Sequence, residues 1–331
     1  IQCKKNNSYF FTFMKKEKTM EQIVVLDAAT IGENCIFDPF KKLGNLRVFA
    51  TTNSTERLQH IDNASIIITN KVIIDKEIMD ACPSLKLICL TATGMNNVDL
   101  AYAKKKGIVV KNVAGYSTES VVQHTFAILL SLLQHTAYYS SYVSSTVYSH
   151  QNLFTHIGPG YVELHGRTWG IIGLGTIGRR VAQVASAFGC KVVYYSTSGN
   201  NHTKDYQEVT LDELLQTSDI ISIHSPLNQQ TKGLIDSEQF KKMKPDAYIV
   251  NVGRGGIINE NALAQAIREK RIAGACLDVM EKEPLPLTSP LLEESIQDKL
   301  LITPHVAWVS DKALKKLMEL TYENVRTFVE E

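Results

Sequence analysis

The 331-residue sequence has no hydrophobic run long enough to cross a membrane. Its one aromatic-rich opening stretch, Tyr9-Phe-Phe-Thr-Phe-Met14, is too short for the core of a signal peptide. It also lacks a charge imbalance. Thirty-five basic residues face 34 acidic ones, a formal charge of +1, which leaves no electrostatic footprint for nucleic acid or an anionic membrane. The six cysteines (Cys3, Cys35, Cys82, Cys89, Cys190 and Cys276) are scattered, with no C-x-x-C pair and no histidine at metal-ligand spacing. Several lie in or beside apolar runs, where a thiol acts as a small hydrophobe in a reducing compartment. The expectation is a cytoplasmic protein with small-molecule partners and no metal. Residues 1–20 differ in character from the rest and read as a disordered extension, with Met14 or Met20 the expected native start.

What the chain does contain is organised around Arg167–Ser196. Trp169 to Ile172 is a short apolar run ending at Gly173, as a buried parallel strand would. Gly175 and Gly178 complete G-x-G-x-x-G, and Val181, Ala182, Val184, Ala185 and Phe188 repeat at helical intervals behind them. The reading is strand, glycine turn, helix, strand. Gly173 permits the tight turn, Gly175 lets backbone approach a pyrophosphate, and Gly178 lets helix and strand pack closely. The helix N-terminus offers unpaired N–H groups and partial positive charge to the phosphates.

On either side, short apolar runs alternate with helical stretches. Strands are predicted at 23–26, 47–50, 65–69, 87–90 and 108–110, with helices at 37–43, 55–61, 75–81 and 100–106. A long apolar stretch over 118–148 follows, expected to be buried between domains or subunits, with an aromatic and serine-rich tail from Tyr138 that reads as solvated coil or as a dimer contact. A second α/β unit follows, with strands at 192–195, 220–224, 247–251, 273–277 and 300–302. Helices are predicted at 211–216, 259–270 and 311–329, the last returning to the first unit. The fold class is therefore α/β, with two Rossmann-like, doubly wound parallel sheets. Residues 21–116 and 310–331 form one domain and residues 117–309 a nucleotide-binding one.

Three polar groups follow strand ends in the second unit, where open α/β sheets bind ligands. Arg254 lies in Asn251-Val-Gly-Arg-Gly-Gly256, Glu283 in Leu277-Asp-Val-Met-Glu-Lys-Glu-Pro284, and His305 in Thr303-Pro-His305. Hydride transfer to a 2-oxo acid unites them. Arg254 would hold the substrate carboxylate or carbonyl oxygen, His305 would protonate the forming alkoxide, and Glu283 would bond the imidazole and raise its pKa.

The order and flanks of these motifs resemble the D-isomer-specific 2-hydroxyacid dehydrogenase family from about Glu21 to the C-terminus. The resemblance implies that Arg254, Glu283 and His305 are the catalytic set. It implies that Thr176, Ile177, Ser225, Pro226, Val252 and Asp278 contact the cofactor, Asp278 at the nicotinamide amide. Thr93-Gly94-Met95-Asn96 matches the family loop whose backbone N–H groups receive the substrate carboxylate, and Asn70, Met95 and Tyr116 mark loops around the substrate. The substrate domain would be flavodoxin-like, and the assembly a homodimer joined through the nucleotide-binding domains.

Asn112-Val-Ala-Gly-Tyr-Ser-Thr-Glu-Ser-Val-Val-Gln-His-Thr-Phe126 and Thr69-Asn-Lys71 are most similar to the glycerate dehydrogenase (hydroxypyruvate reductase) branch. A single cation near Asn70 points away from a phosphorylated substrate. Hydroxypyruvate, glyoxylate and pyruvate are the expected oxo acids, with phosphoglycerate or formate dehydrogenase activity and a non-catalytic, dinucleotide-sensing corepressor as alternatives. The departure from the NAD-specific pattern is at Ser196, where an Asp or Glu normally meets the ribose 2′-OH. Ser196-Thr-Ser-Gly-Asn-Asn-His-Thr-Lys204 contains no arginine, so either NAD or NADP is expected to serve.

Overall fold

The computed structural model describes residues 20–33 and 35–331, so the expected extension lies outside it except for Met20. The described chain groups into two compact units, one of residues up to Ala114 together with Leu317–Glu331, the other of Gly115–Lys316. Among the described residues no helix is long and apolar enough to cross a membrane.

The first unit is built on strands β1 (Glu21–Val25), β2 (Gly44–Val48), β3 (Ile66–Thr69), β4 (Leu87–Leu90) and β5 (Val109–Lys111). They form one sheet in the order β2-β1-β3-β4-β5, and each adjacent pair is parallel. This is the flavodoxin-like order, in which the sheet is wound in both directions from β1. Parallel strands buried on both faces read as unbroken apolar runs, which is why Ile66-Ile-Ile68 and Leu87-Ile-Cys-Leu90 are fully buried. Helices α1 (Arg57–His60), α2 (Lys76–Ala81) and α3 (Leu100–Lys106) complete it. Asp75 caps α2 by accepting from Ile78 N–H, Asp99 caps α3 by accepting from Tyr102 N–H, and Gly107 ends α3 in the left-handed region. From Leu317 onward the C-terminal helix belongs to this unit. Tyr322 there meets Phe40 edge-on at 5.3 Å, and Asn324 donates to the Asn112 carbonyl at 3.1 Å.

The second unit contains α4 (Thr118–Leu133), α5 (Thr136–Ser144) and α6 (Val147–His150), then β6 (Thr168–Ile172), α7 (Thr176–Ala187), β7 (Lys191–Tyr195), β8 (Gln207–Glu208) and α8 (Leu211–Thr217). After these come β9 (Ile220–Ile223), α9 (Ser237–Lys242), β10 (Tyr248–Asn251), α10 (Glu260–Arg268), β11 (Gly274–Leu277), β12 (Leu300–Ile302) and the start of α11 (Asp311–Glu330). The seven-stranded sheet runs β12-β11-β10-β9-β6-β7-β8, with every neighbouring pair parallel. It is the Rossmann order with one strand added, and the winding reverses between β6 and β9.

The stretch over 118–148 is three helices rather than one followed by coil. His135 and Thr146, both at positive φ, break it. The apolar face of α4 is buried within the second unit, with Phe126 4.9 Å from Trp169 and stacked on Phe188.

Candidate active site

The glycine turn shows three different reasons for glycine. Gly173 has φ +93°, and a Cβ there would fall 2.9 Å from the Ser225 backbone nitrogen. A Cβ on Gly178 would fall 2.2 Å from the Gly173 carbonyl oxygen, so helix α7 can lie this close to β6 only without one. Gly175 has neither constraint. Its φ is −75° and nothing lies within 4 Å of its Cβ position, so the space over it is left for a ligand. Side chains cap α8, α9 and α10 through Thr210, Asp236 and Asn259. No side chain caps α7, and its first turn carries no acid, so the N–H groups around Thr176 and Ile177 meet the ligand space directly.

Two more features fit a dinucleotide. The buried hydroxyls of Ser196 and Ser225 have no hydrogen-bond partner, a cost that a bound polar group would remove. Ser196 follows β7, and Ser225 follows β9 beside Gly173, at the two strands flanking β6. Val252 is buried after β10, while Pro226 is exposed beside Ser225.

Arg254 sits half-buried in a turn that Asn251 builds. Asn251 accepts from Gly253 N–H at 3.0 Å and donates to the Arg254 carbonyl at 2.9 Å. The Arg254 guanidinium donates to the Gly253 carbonyl at 2.8 Å. A Cβ on Gly255 would lie 1.8 Å from the Met280 carbonyl oxygen, so glycine lets this turn touch the one that carries Glu283. Tyr116, T-shaped on Trp308 at 6.3 Å, has its pKa pushed up to about 12 by burial, against the pull of Ser117 and the Arg254 charge.

Glu283 faces two ways. One carboxylate oxygen accepts from Met280 N–H at 3.0 Å, and the other lies 2.7 Å from His305 Nδ1. A carboxylate at Nδ1 fixes that nitrogen as the donor, which leaves Nε2 to exchange a proton with a ligand.

His305 is held in the left-handed region at φ +56°, which the surrounding bonds enforce. Asp278, fully buried at the end of β11, accepts from Thr303 Oγ1 at 2.6 Å, Val306 N–H at 2.8 Å and Ala307 N–H at 2.9 Å. His124 of α4 lies 2.9 Å from Thr303 Oγ1, Ser120 donates to the Ala307 carbonyl at 2.6 Å, and Trp308 donates to the His305 carbonyl at 2.9 Å. Burial pushes the Asp278 carboxyl up, but the bonds from His124, Thr303, Ala307 and Val306 outweigh it, and its pKa lies below the ordinary value. No motif signals that Asp278 clamps the histidine loop, whose bonding atoms lie 25 to 29 residues further on, and the contacts of His124 and Ser120 at that clamp span 179 and 187 residues.

The remaining predicted residues belong to the first unit. Asn70 is buried, with its backbone N–H and that of Lys71 given to Asp27. Thr93 donates to the Val113 carbonyl at 2.9 Å and its own carbonyl accepts from Asn112, which fixes the loop. The N–H groups of Gly94, Met95 and Asn96 have no acceptor among the described residues.

The family model for the NAD binding domain of D-isomer specific 2-hydroxyacid dehydrogenase matches residues 126–307, more than half of the chain. The chain is 34% identical over 314 residues to a hydroxypyruvate reductase of Blautia hydrogenotrophica, an alignment covering 93% of this chain and 97% of the relative. A D-lactate dehydrogenase of Aquifex aeolicus, solved with NAD and lactic acid, superposes with TM-score 0.82 at 30% identity, covering 94% of this chain and 96% of that one. An acyclic imino acid reductase solved with NADPH and D-Arg superposes with TM-score 0.82 at 29% identity, covering 93% and 97%. The chain belongs to the D-isomer-specific 2-hydroxyacid dehydrogenase family. It is an NAD(P)-binding oxidoreductase acting on CH–OH donors.

Proposed function

We propose that the protein interconverts a small, unphosphorylated 2-oxo acid and its D-2-hydroxy acid, with hydroxypyruvate, glyoxylate and pyruvate as the candidate oxo acids. The observation that carries this is the 2.7 Å Glu283–His305 contact on a loop fixed by Asp278, which presents Nε2 as the proton-exchanging atom. The unit of residues 115–316 is the NAD(P) domain and the other the substrate domain. Gly173, Gly175, Gly178, Thr176, Ile177, Ser196, Ser225, Pro226 and Val252 would hold the dinucleotide, and its nicotinamide supplies or accepts the hydride when bound.

His305 Nε2 gives its proton to the carbonyl oxygen during reduction and recovers it during oxidation. Glu283 keeps the Nδ1 proton in place and fixes the orientation of the ring. Arg254 orients the substrate by charge-assisted hydrogen bonds. The acceptor-free N–H groups of Gly94, Met95 and Asn96 suit a carboxylate, and Asn70 lies on a neighbouring loop. The carboxylate of Asp278 is committed to Thr303, Val306 and Ala307, so we assign it to positioning His305 alongside any contact with the nicotinamide amide.

A homodimer in the cytoplasm is the assembly we propose. The exposed Leu153, Phe154, Ile157 and Tyr161 after α6 supply an apolar patch of the kind that marks a protein interface. Oxidation of NADH and NADPH by hydroxypyruvate, glyoxylate, pyruvate and a phosphorylated analogue tests the activity. Turnover with at least one unphosphorylated acid is expected. Dinucleotide binding with no turnover on any of them would replace the enzyme by a sensor.

A further inference from the structure

The eleven-residue loop between β7 and β8, residues 196–206, has no arginine of its own, but the fold brings one to it. Arg179, on the first turn of α7 directly after Gly178, donates from Nη2 to the His202 carbonyl at 3.0 Å. No carboxylate of the described residues pairs with it, whereas the next residue, Arg180, is paired with Glu119 at 3.1 Å.

The acids near the loop are already engaged. Glu208 is 2.7 Å from His202 Nδ1 and also accepts from the Tyr194 hydroxyl, and Asp205 accepts from Thr203. The Glu208 carboxylate, and after it the Gly199 carbonyl, raises the His202 pKa above its ordinary value. Ser196, nine-tenths buried at the end of β7, has a hydroxyl with no partner. In a Rossmann domain this strand end faces the adenosine ribose, and a nearby arginine accommodates a 2′-phosphate.

We infer that Arg179 and Ser196 together form a 2′-phosphate subsite, with the Arg179 fork as the residue that admits NADPH. This rests on the dinucleotide reading of the glycine turn and goes beyond it by assigning a selectivity residue on the helix instead of the loop. Four of the five guanidinium N–H groups are uncommitted, enough for the forked contact that phosphate favours. A bare ribose hydroxyl offers the same side chain only one neutral acceptor, without the charge or the second oxygen of a forked contact.

The test is equilibrium binding to the full chain, with NADPH, NADH, 2′,5′-ADP and 5′-AMP as probes. Arg179→Ala is expected to raise Kd for NADPH and 2′,5′-ADP at least tenfold, while Kd for NADH and 5′-AMP moves less than twofold. Arg179→Lys is expected to recover part of the NADPH loss and so shows that the charge, not loop integrity, is measured. Equal weakening of both pairs would overturn the proposal and place Arg179 at the pyrophosphate or in loop folding. No change for any probe would overturn it outright. A wild-type chain that binds none of the four would instead remove the dinucleotide reading beneath it.

Discussion

The loops after β12 and β7 leave the same edge of one sheet and are held by opposite means. The loop after β12 carries His305 and is tied to a buried carboxylate, with Asp278 taking two backbone N–H groups and a hydroxyl. The loop after β7 is tied at its surface, by Arg179, Glu208 and Tyr194, with its one buried hydroxyl left unpartnered. The difference matches the tasks proposed for them. A proton donor must be held within a fraction of an ångström of one position, whereas a loop that sorts cofactors can change side chains without disturbing the chemistry.

The sharpest way to break the comparison is at His305 itself. His305→Ala is expected to lower turnover at least a hundredfold, since general acid catalysis contributes about 10²–10⁴. Dinucleotide binding should persist, because the nucleotide residues are held by other strands. Single-turnover rates and a binding titration check both halves, and a variant that loses both together would mean that the two loops are not independent.

A smaller effect is expected at the clamp. Asp278→Asn keeps the size but removes the charge and turns one accepting oxygen into an NH2 that cannot accept from a backbone N–H, at a cost of about 1.5–3 kcal/mol for each bond to a charged group lost. Thermal unfolding should shift down and kcat should fall, with Kd for the cofactor little changed. The pH dependence has a fixed sign. The folded pKa of Asp278 lies below its unfolded value, so its contribution is present above the unfolded pKa and is lost as pH falls through the folded one. The wild-type chain should therefore lose stability in acid more steeply than the variant, and superimposed acid limbs would remove Asp278 from the clamp.

The two loops were also unequally legible in the sequence. Thr303-Pro-His305 and Glu283 follow β12 and β11, adjacent in the sheet, so motif order alone brings the residues close. The sheet strands were readable because buried parallel strands appear as apolar runs. The two-residue β8 and the six-residue α9 were not read, although Asp236-Ser-Glu-Gln239 carries a capping box that marks the start of α9. The tyrosine- and serine-rich residues of α5 read as solvated coil or as a dimer contact, not as a helix, because neither type favours helix strongly. Arg179 and His124 escaped for a different reason. Each sits in an ordinary helical position, and only the tertiary packing of α7 and α4 shows what their side chains reach.

The smallest effect, and the most direct probe of the surface-held loop, is at Ser196. A carboxylate at the end of the second strand of a Rossmann domain accepts from the ribose 2′-OH and repels a 2′-phosphate, so serine removes the usual barrier to NADP. Wild-type kcat/KM for NADH and NADPH should lie within about tenfold, an energy gap of about 1.4 kcal/mol. Ser196→Asp should then move the ratio toward NADH through two additive routes, a new acceptor for the hydroxyl and a like charge against the phosphate. It should also give Arg179 a carboxylate to pair with, which takes the fork away from the phosphate. Kinetics with both cofactors on wild type, Ser196→Asp and Arg179→Ala measure these routes separately. A wild type that already discriminates a thousandfold against NADPH would show that the loop after β7 is as fixed in its task as the loop after β12.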